Sequence, residues 1–159
     1  MISAKKATYI SLLFGIFAFF IDRGQKFYQI DIKGWSGGEV INLTSFLDYV
    51  LVWNPGISFG LFGSAPSWVL PSIIGFAIIL LAFWWLKETD FLSKIGLALC
   101  IGGALSNIVD RFLYGAVADF FHIYWGQKSI FINNIADIII FIGVLFLLPN
   151  MFLSSSKKS

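Results

Sequence analysis

Apolar residues gather into four long blocks along this chain. The first runs from Ala7 to Ile21 and continues, with polar residues, to about Tyr28. The second runs from Trp68 to Leu86. The third runs from Ile95 to Val109 and fades by Leu113, and the fourth runs from Ile135 to Leu153. A helix that crosses a bilayer needs about 17–25 residues at about 1.5 Å rise each. The second and fourth blocks meet that length unaided; the first and third meet it once their polar ends count as helix. The pattern predicts transmembrane helices over about 8–28, 68–87, 95–113 and 134–153, in one domain covering 1–159.

The connection from Gln29 to Ser67 has a different texture. After a WSGG turn, the stretch EVINLTSFLDYVLVW is alternating and β-branched, and Asn54-Pro55-Gly56 closes it with a turn signal. Two or three short strands are predicted there. The fold class is therefore an all-α membrane protein, a four-helix bundle with a small extracytoplasmic β-sheet cradle between helices one and two. Trp35, Phe46, Leu47, Trp53 and Phe59 in that sheet suit the membrane–water interface, where aromatic residues are enriched.

Composition sharpens the class. Of 159 residues, 58% are hydrophobic and only 13% charged, with a mean hydropathy of +0.84; a soluble domain is roughly 45–50% apolar and about 25% charged. A net charge of +2, with no basic run, excludes a nucleic-acid partner. The single cysteine, Cys100, lies inside an apolar block and reads as a small core residue. No small-x-small cleavage pattern follows the first block, so it is expected to stay as an anchor. Lys5 and Lys6, Lys87 and Lys94, and Lys157 and Lys158 flank the helices on one side if there are four spans. The positive-inside rule then puts both termini in the cytoplasm and the longer connections outside.

That topology brings the polar residues to one depth. Asp22, Arg23 and Lys26 end helix one on the outer side, and Asn107, Asp110 and Arg111 end helix three. Asn134 and Asp137 begin helix four, with Asp119 on the connection before it. Residues three or four apart share a helix face, so each helix end presents a polar cluster, and ionisable groups within a membrane usually face a bundle interior or cavity. Asp22 with Lys26, and Asp110 with Arg111 or Arg23, read as ion pairs that brace the site.

Asp119 and Asp137 differ, since neither has a lysine or arginine three or four positions away. Asp137 falls in the first turn of helix four, where the dipole favours an anion; from position alone it reads equally as a plain helix-start carboxylate. Asp119 sits in AVADFF, where burial raises a carboxyl pKa. Brought together, two such acids share one proton and can hydrolyse a peptide bond without metal or cofactor. His122 is the only histidine, which excludes multi-histidine metal sites. No nucleophile-elbow pattern is present, and His122 reads as an interfacial aromatic near Asp119. Gly96, Ala98, Gly102 and Gly103 read as sites of close helix packing.

Taken together these motifs resemble the bacterial lipoprotein signal peptidase family, signal peptidase II. The residues that carry the resemblance are Asp22 with Lys26; Asn54-Pro55-Gly56-Ile57-Ser58-Phe59-Gly60; and Gly102-Gly103-Ala104 followed by Asn107-Ile108-Val109-Asp110-Arg111. Gly115 then leads to Ala118-Asp119-Phe120, and Asn134-Ile135-Ala136-Asp137 completes the set. The resemblance spans Thr8 to about Phe152. It implies a monomeric aspartic endopeptidase of the bacterial inner membrane that cuts prolipoproteins before a diacylglyceryl-modified cysteine, in contact with membrane lipid and sensitive to globomycin-type inhibitors. It implies Asp119 and Asp137 as the catalytic pair, with Asp22, Lys26, Asn54, Gly56, Asn107, Asp110, Arg111 and Asn134 holding the pair and the substrate. Two residues depart from the family pattern: Ser106 stands where glycine is usual, and Asn133 where phenylalanine is usual. The rival readings are a small proton-coupled transporter, against which the lack of an inverted repeat argues, and a non-catalytic assembly subunit.

Overall fold

A computed structural model of the chain describes residues 3–56, 66 and 68–156. Ile57, Ser58, Phe59 and Gly60 of the NPGISFG motif, and the tail lysines Lys157 and Lys158, lie outside the described residues. In chain order the elements are α1 (Ala4–Phe27), a wider π-helical turn (Tyr28–Ile32), β1 (Val40–Asn42), β2 (Leu47–Asn54), α2 (Val69–Lys87), α3 (Phe91–Tyr114), β3 (Val117–Trp125), β4 (Lys128–Asn133) and α4 (Ile135–Ser156). α1 with its π turn, α2 and α3 are each long and apolar enough to cross a membrane, and the apolar stretch of α4 over 135–150 is shorter. The protein is a multi-pass membrane protein.

α3 is the central helix, buried along most of its length from Ser93 to Arg111, with α1, α2 and α4 packed around it. It begins at Phe91, earlier than the apolar block suggests, because the Asp90 carboxylate accepts a 2.8 Å hydrogen bond from the Ser93 N–H and caps the helix. Close approach is possible only where side chains vanish. A Cβ on Gly102 would collide with the Gly15 carbonyl of α1, and one on Gly96 would lie 2.5 Å from the Gly143 carbonyl of α4. With no hydrophobic drive between helices in lipid, this tight packing is what joins them. The bundle is apolar outward, and inward it combines an apolar cluster of Ala18, Ile95 and Leu99 with buried polar side chains. α1 exposes Leu13, Phe17 and Phe20 and buries Ser11, Asp22 and Lys26, while α2 buries only Leu70 and Pro71.

The sheet is antiparallel with strand order β1-β2-β3-β4. It is therefore not confined to the connection between α1 and α2, as the sequence pattern suggested. Half of it comes from the connection between α3 and α4. Strands three and four are joined through Gly126, whose φ of +57° supplies the left-handed turn residue between Trp125 and Lys128. Leu51, Ala118 and Phe120 form the sheet's own core, covered by Ile30, Trp35, Tyr49 and Trp53. Trp35 stacks on Phe120 and packs on Tyr49, so this tryptophan faces the sheet cluster. Gln25 and Gln29 both donate to the Tyr49 hydroxyl, at 2.7 and 2.8 Å, and fasten β2 to the end of α1.

Candidate active site

Asp119 is positioned by strand alternation. Residues along β3 point alternately to the two faces. Ala118 and Phe120 enter the sheet core, so Val117 and Asp119 face the other way, into a cavity of about 580 Å³. β3 can start so soon after α3 because Gly115 ends the helix in the left-handed region, at φ +72°, with its N–H bonded to the Arg111 carbonyl. In β2, Val52 pairs with Asp119 and Asn54 with Val117. Asn54 and Asp119 are thus diagonal neighbours on one face, and Asn54 Nδ2 donates to Asp119 Oδ2 at 3.0 Å. The Asn54 Oδ1 accepts from the Gly56 N–H at 3.1 Å, which shapes the turn that follows.

Asp137 reaches the same cavity from the first turn of α4. Asn134 and Asp137 cap that helix reciprocally. The Asn134 Oδ1 accepts from the Asp137 N–H at 2.9 Å, and Asp137 Oδ2 accepts from the Asn134 N–H at 3.4 Å. The other Asp137 oxygen accepts from Asn107 Nδ2 at 2.8 Å. The Asn134 amide is fully buried, and its Nδ2 donates to Asp119 Oδ1 at 2.7 Å.

Beneath the two acids lies a closed ionic network. The buried Lys26 ammonium contacts Asp22 Oδ2 at 2.7 Å, Asp110 Oδ2 at 2.6 Å and Asn107 Oδ1 at 3.0 Å. All three of its N–H donors therefore have partners. Arg23 completes the network by pairing with Asp110. Each supporting carboxylate also accepts from a backbone N–H directly before one of the acids: Asp22 from Ala136 at 2.9 Å and Asp110 from Ala118 at 3.2 Å. Lys26 thereby ties together the two strokes of backbone that carry Asp137 and Asp119. Ser106 adds a 2.6 Å hydrogen bond to Asp22 and is itself fully buried.

Arg111 does not pair with Asp110. Its guanidinium donates to the Pro55 and Gly56 carbonyls, holding the turn after β2 against the cavity. His122 has other partners too. It lies opposite Asp48, with Nδ1 3.7 Å from that carboxylate and Nε2 2.9 Å from Ser129 Oγ. Sequence reasoning missed the two backbone N–H groups of Ala118 and Ala136, and the cavity's apolar walls, Ile74 of α2 and Ile140, Phe141 and Val144 of α4. Side-chain chemistry carries no signal for the former; the latter were hidden among many similar apolar residues.

Electrostatics bear on Asp119 in particular. Asp119 lies in β3, outside the helices, and its carboxyl is raised to about 7, first by burial and then by the charge of Asp137. The Asn54 and Asn134 amides oppose the shift. The described residues include no group of three or more His, Cys, Asp or Glu placed to hold a metal ion. The cavity is polar where the acids and amides meet and apolar between α2 and α4, and its volume falls within the range of sites that bind small ligands or short peptides.

The family model for signal peptidase (SPase) II matches residues 14–153. The chain belongs to the signal peptidase II family. It is 38% identical over 146 residues to the lipoprotein signal peptidase of Rhodopseudomonas palustris (strain TIE-1), covering 87% of this chain and 89% of that one. It is 37% identical over 157 residues to the lipoprotein signal peptidase of Pelagibacter ubique (strain HTCC1062), covering 97% and 94%. A solved structure described as a bacterial membrane enzyme, determined in meso at 2.3 Å, superposes with a TM-score of 0.80 at 25% identity, over 94% of this chain and 92% of that one. Membership of the signal peptidase II family makes this protein a membrane protease, and the residues from Asp22 to Asp137 described above all lie within the matched segment.

Proposed function

We propose that this chain is an aspartic endopeptidase of the bacterial inner membrane, with four spans and both termini cytoplasmic, and that Asp119 and Asp137 are its catalytic pair. Its family removes signal peptides from prolipoproteins, and the substrate is a precursor whose cysteine already carries diacylglycerol. The observation that carries the reading is the placement of two acids, Asp119 buried and Asp137 half-buried, on one cavity, each held by amide donors and neither by a fixed cation. Asp22, Asp110, Lys26 and Arg23 neutralise one another. Asp119 and Asp137 then need share only one proton to be balanced by Arg111, which lines the same cavity.

Asp119, pushed up to about 7, holds that proton. Asp137, at the N-terminus of α4 where the helix dipole favours an anion, is its partner and serves as the base. Asp137 takes a proton from water as its oxygen attacks the scissile carbonyl, and Asp119 donates to the carbonyl oxygen. The tetrahedral species collapses: the C–N bond breaks, the cysteine amine leaves with the proton held by Asp137, and a hydroxyl of the new carboxyl group returns its proton to Asp119. The apolar walls on α2 and α4 receive the signal-peptide helix entering from the lipid, and the acyl chains remain in the bilayer. Binding of those remote groups fixes the scissile bond over the acids.

The transporter reading has no support from the family comparisons. The direct test incubates the purified protein with a diacylglyceryl-modified precursor, with and without globomycin. Cleavage before the lipidated cysteine, suppressed by globomycin, is the expected result. An intact precursor under conditions in which a known family member cuts it contradicts the proposal.

A further inference from the structure

Asn133 ends β4, one residue before the amide that caps α4. It lines the cavity of Asp119 and Asp137 and also a second chamber of about 620 Å³, bounded by Leu47, Phe121, Ile123 and Ile138. Phe131, Asn133, Asp137 and Phe141 belong to both, so the two form one cleft with Asn133 at the junction. The neighbouring amides of Asn54, Asn107 and Asn134 are all bonded to the acids. Asn133 Oδ1 is shielded from solvent and, among the described residues, has no hydrogen-bond partner. The Nε of Arg111, a donor on the same cavity, is buried and unpartnered in the same sense. Native proteins rarely leave such atoms unmatched, and each one calls for a reason. One unmatched acceptor and one unmatched donor on a shared cleft complement the N–H and C=O groups of an extended peptide backbone.

We infer that Asn133 is a substrate-positioning residue, whose side-chain carbonyl accepts a hydrogen bond from a precursor backbone N–H within two residues of the scissile bond. This rests on the peptidase reading above. The contact lies where the cleft passes from the acids into the apolar chamber, so it fixes which way the chain leaves the site.

The test pairs a protein change with a substrate change. Asn133→Leu keeps the side chain's size and removes the acceptor; Asn133→Asp keeps an acceptor oxygen. The substrates are diacylglyceryl-modified precursor peptides in which one backbone amide at a time, within two residues of the scissile bond but excluding it, is replaced by an ester. One ester position is expected to lower wild-type kcat/KM roughly tenfold, the size of one hydrogen bond in a desolvated site. Asn133→Leu is expected to lose about the same on the all-amide peptide, mainly through KM, and to lose nothing more on that ester. Asn133→Asp is expected to remain sensitive to the ester. The unfolding temperature of Asn133→Leu in detergent should equal or exceed that of wild type. Additive losses at every ester position, a wild-type rate for Asn133→Leu on the all-amide peptide, or an Asn133→Leu protein that fails to fold each overturn the contact. Failure of the wild-type protein to cut the all-amide peptide overturns the peptidase reading and the contact with it, and is seen in a separate arm.

Discussion

Asn134 donates to Asp119 across 2.7 Å while its other amide end caps the helix that bears Asp137. One buried side chain thus sets the position of both acids. Asn134→Ala removes the cap, worth about 0.5–2 kcal/mol of stability, and also releases Asp119. The expected outcome is a modest loss of unfolding resistance in detergent with a fall in kcat of roughly tenfold, the loss of one buried hydrogen bond to a reacting group. Equal kcat in variant and wild type would show that this bridge does not position the pair.

Asp119→Asn and Asp137→Asn each replace a carboxyl with an amide of the same shape. Cleavage of a lipidated precursor is expected to drop by at least about 10³-fold in either, as when one member of a cooperating catalytic set is removed. Folding, read by far-UV circular dichroism and monodispersity in detergent, should persist. Wild-type cleavage by Asp137→Asn would end the proposed assignment.

The Asp119 carboxyl gives a pH signature. Its folded value is about 7, against about 3.9 in an unfolded chain. Between those values the folded protein holds a proton that the unfolded chain has released. Stability therefore falls as pH rises from about 4 to about 7 and levels off above, at no more than about 1.4 kcal/mol per pH unit. Activity should decline above about pH 7 as the shared proton is lost. Unfolding measured at pH 5 and pH 8 should show Asp119→Asn gaining on wild type at the higher pH, and a constant difference between them contradicts the argument.

Lys26 holds two buried carboxylates that in turn hold Ala136 and Ala118. Lys26→Met leaves both carboxylates partly unpaired, a loss of about 3–5 kcal/mol when a buried pair is broken on one side. The same change should lower activity, since the backbone before each acid is freed. Restoring neutrality with Asp22→Asn in the Lys26→Met background should recover part of the stability. No recovery in detergent unfolding would place the role of Lys26 elsewhere.

Hydrophobic patterning made the helices legible, since a bilayer demands long apolar runs and α2 announces itself without any tertiary help. β3 and β4 were not legible, although Gly126-Gln127 between two aromatic and β-branched runs is a hairpin signal. The run from Val117 to Trp125 does not alternate, because its first four residues are buried on both faces. The ion pairs of Asp22 with Lys26 and of Asp110 with Arg23 follow from helix spacing and depth. The partner of Arg111 does not, because Pro55 and Gly56 approach it only once β2 has paired with β3.

By itself, then, the sequence determined that this is a membrane chain of long apolar helices, with its acids and amides at the helix ends and the motifs of its family. Tertiary structure alone decided which polar atoms meet. Hydrophobic length is a local property that lipid reads directly, whereas the approach of Asp119 to Asn54 and Asn134, and of Ala136 to Asp22, depends on strand register and glycine-mediated helix packing between distant segments. No pattern within one segment encodes those distances.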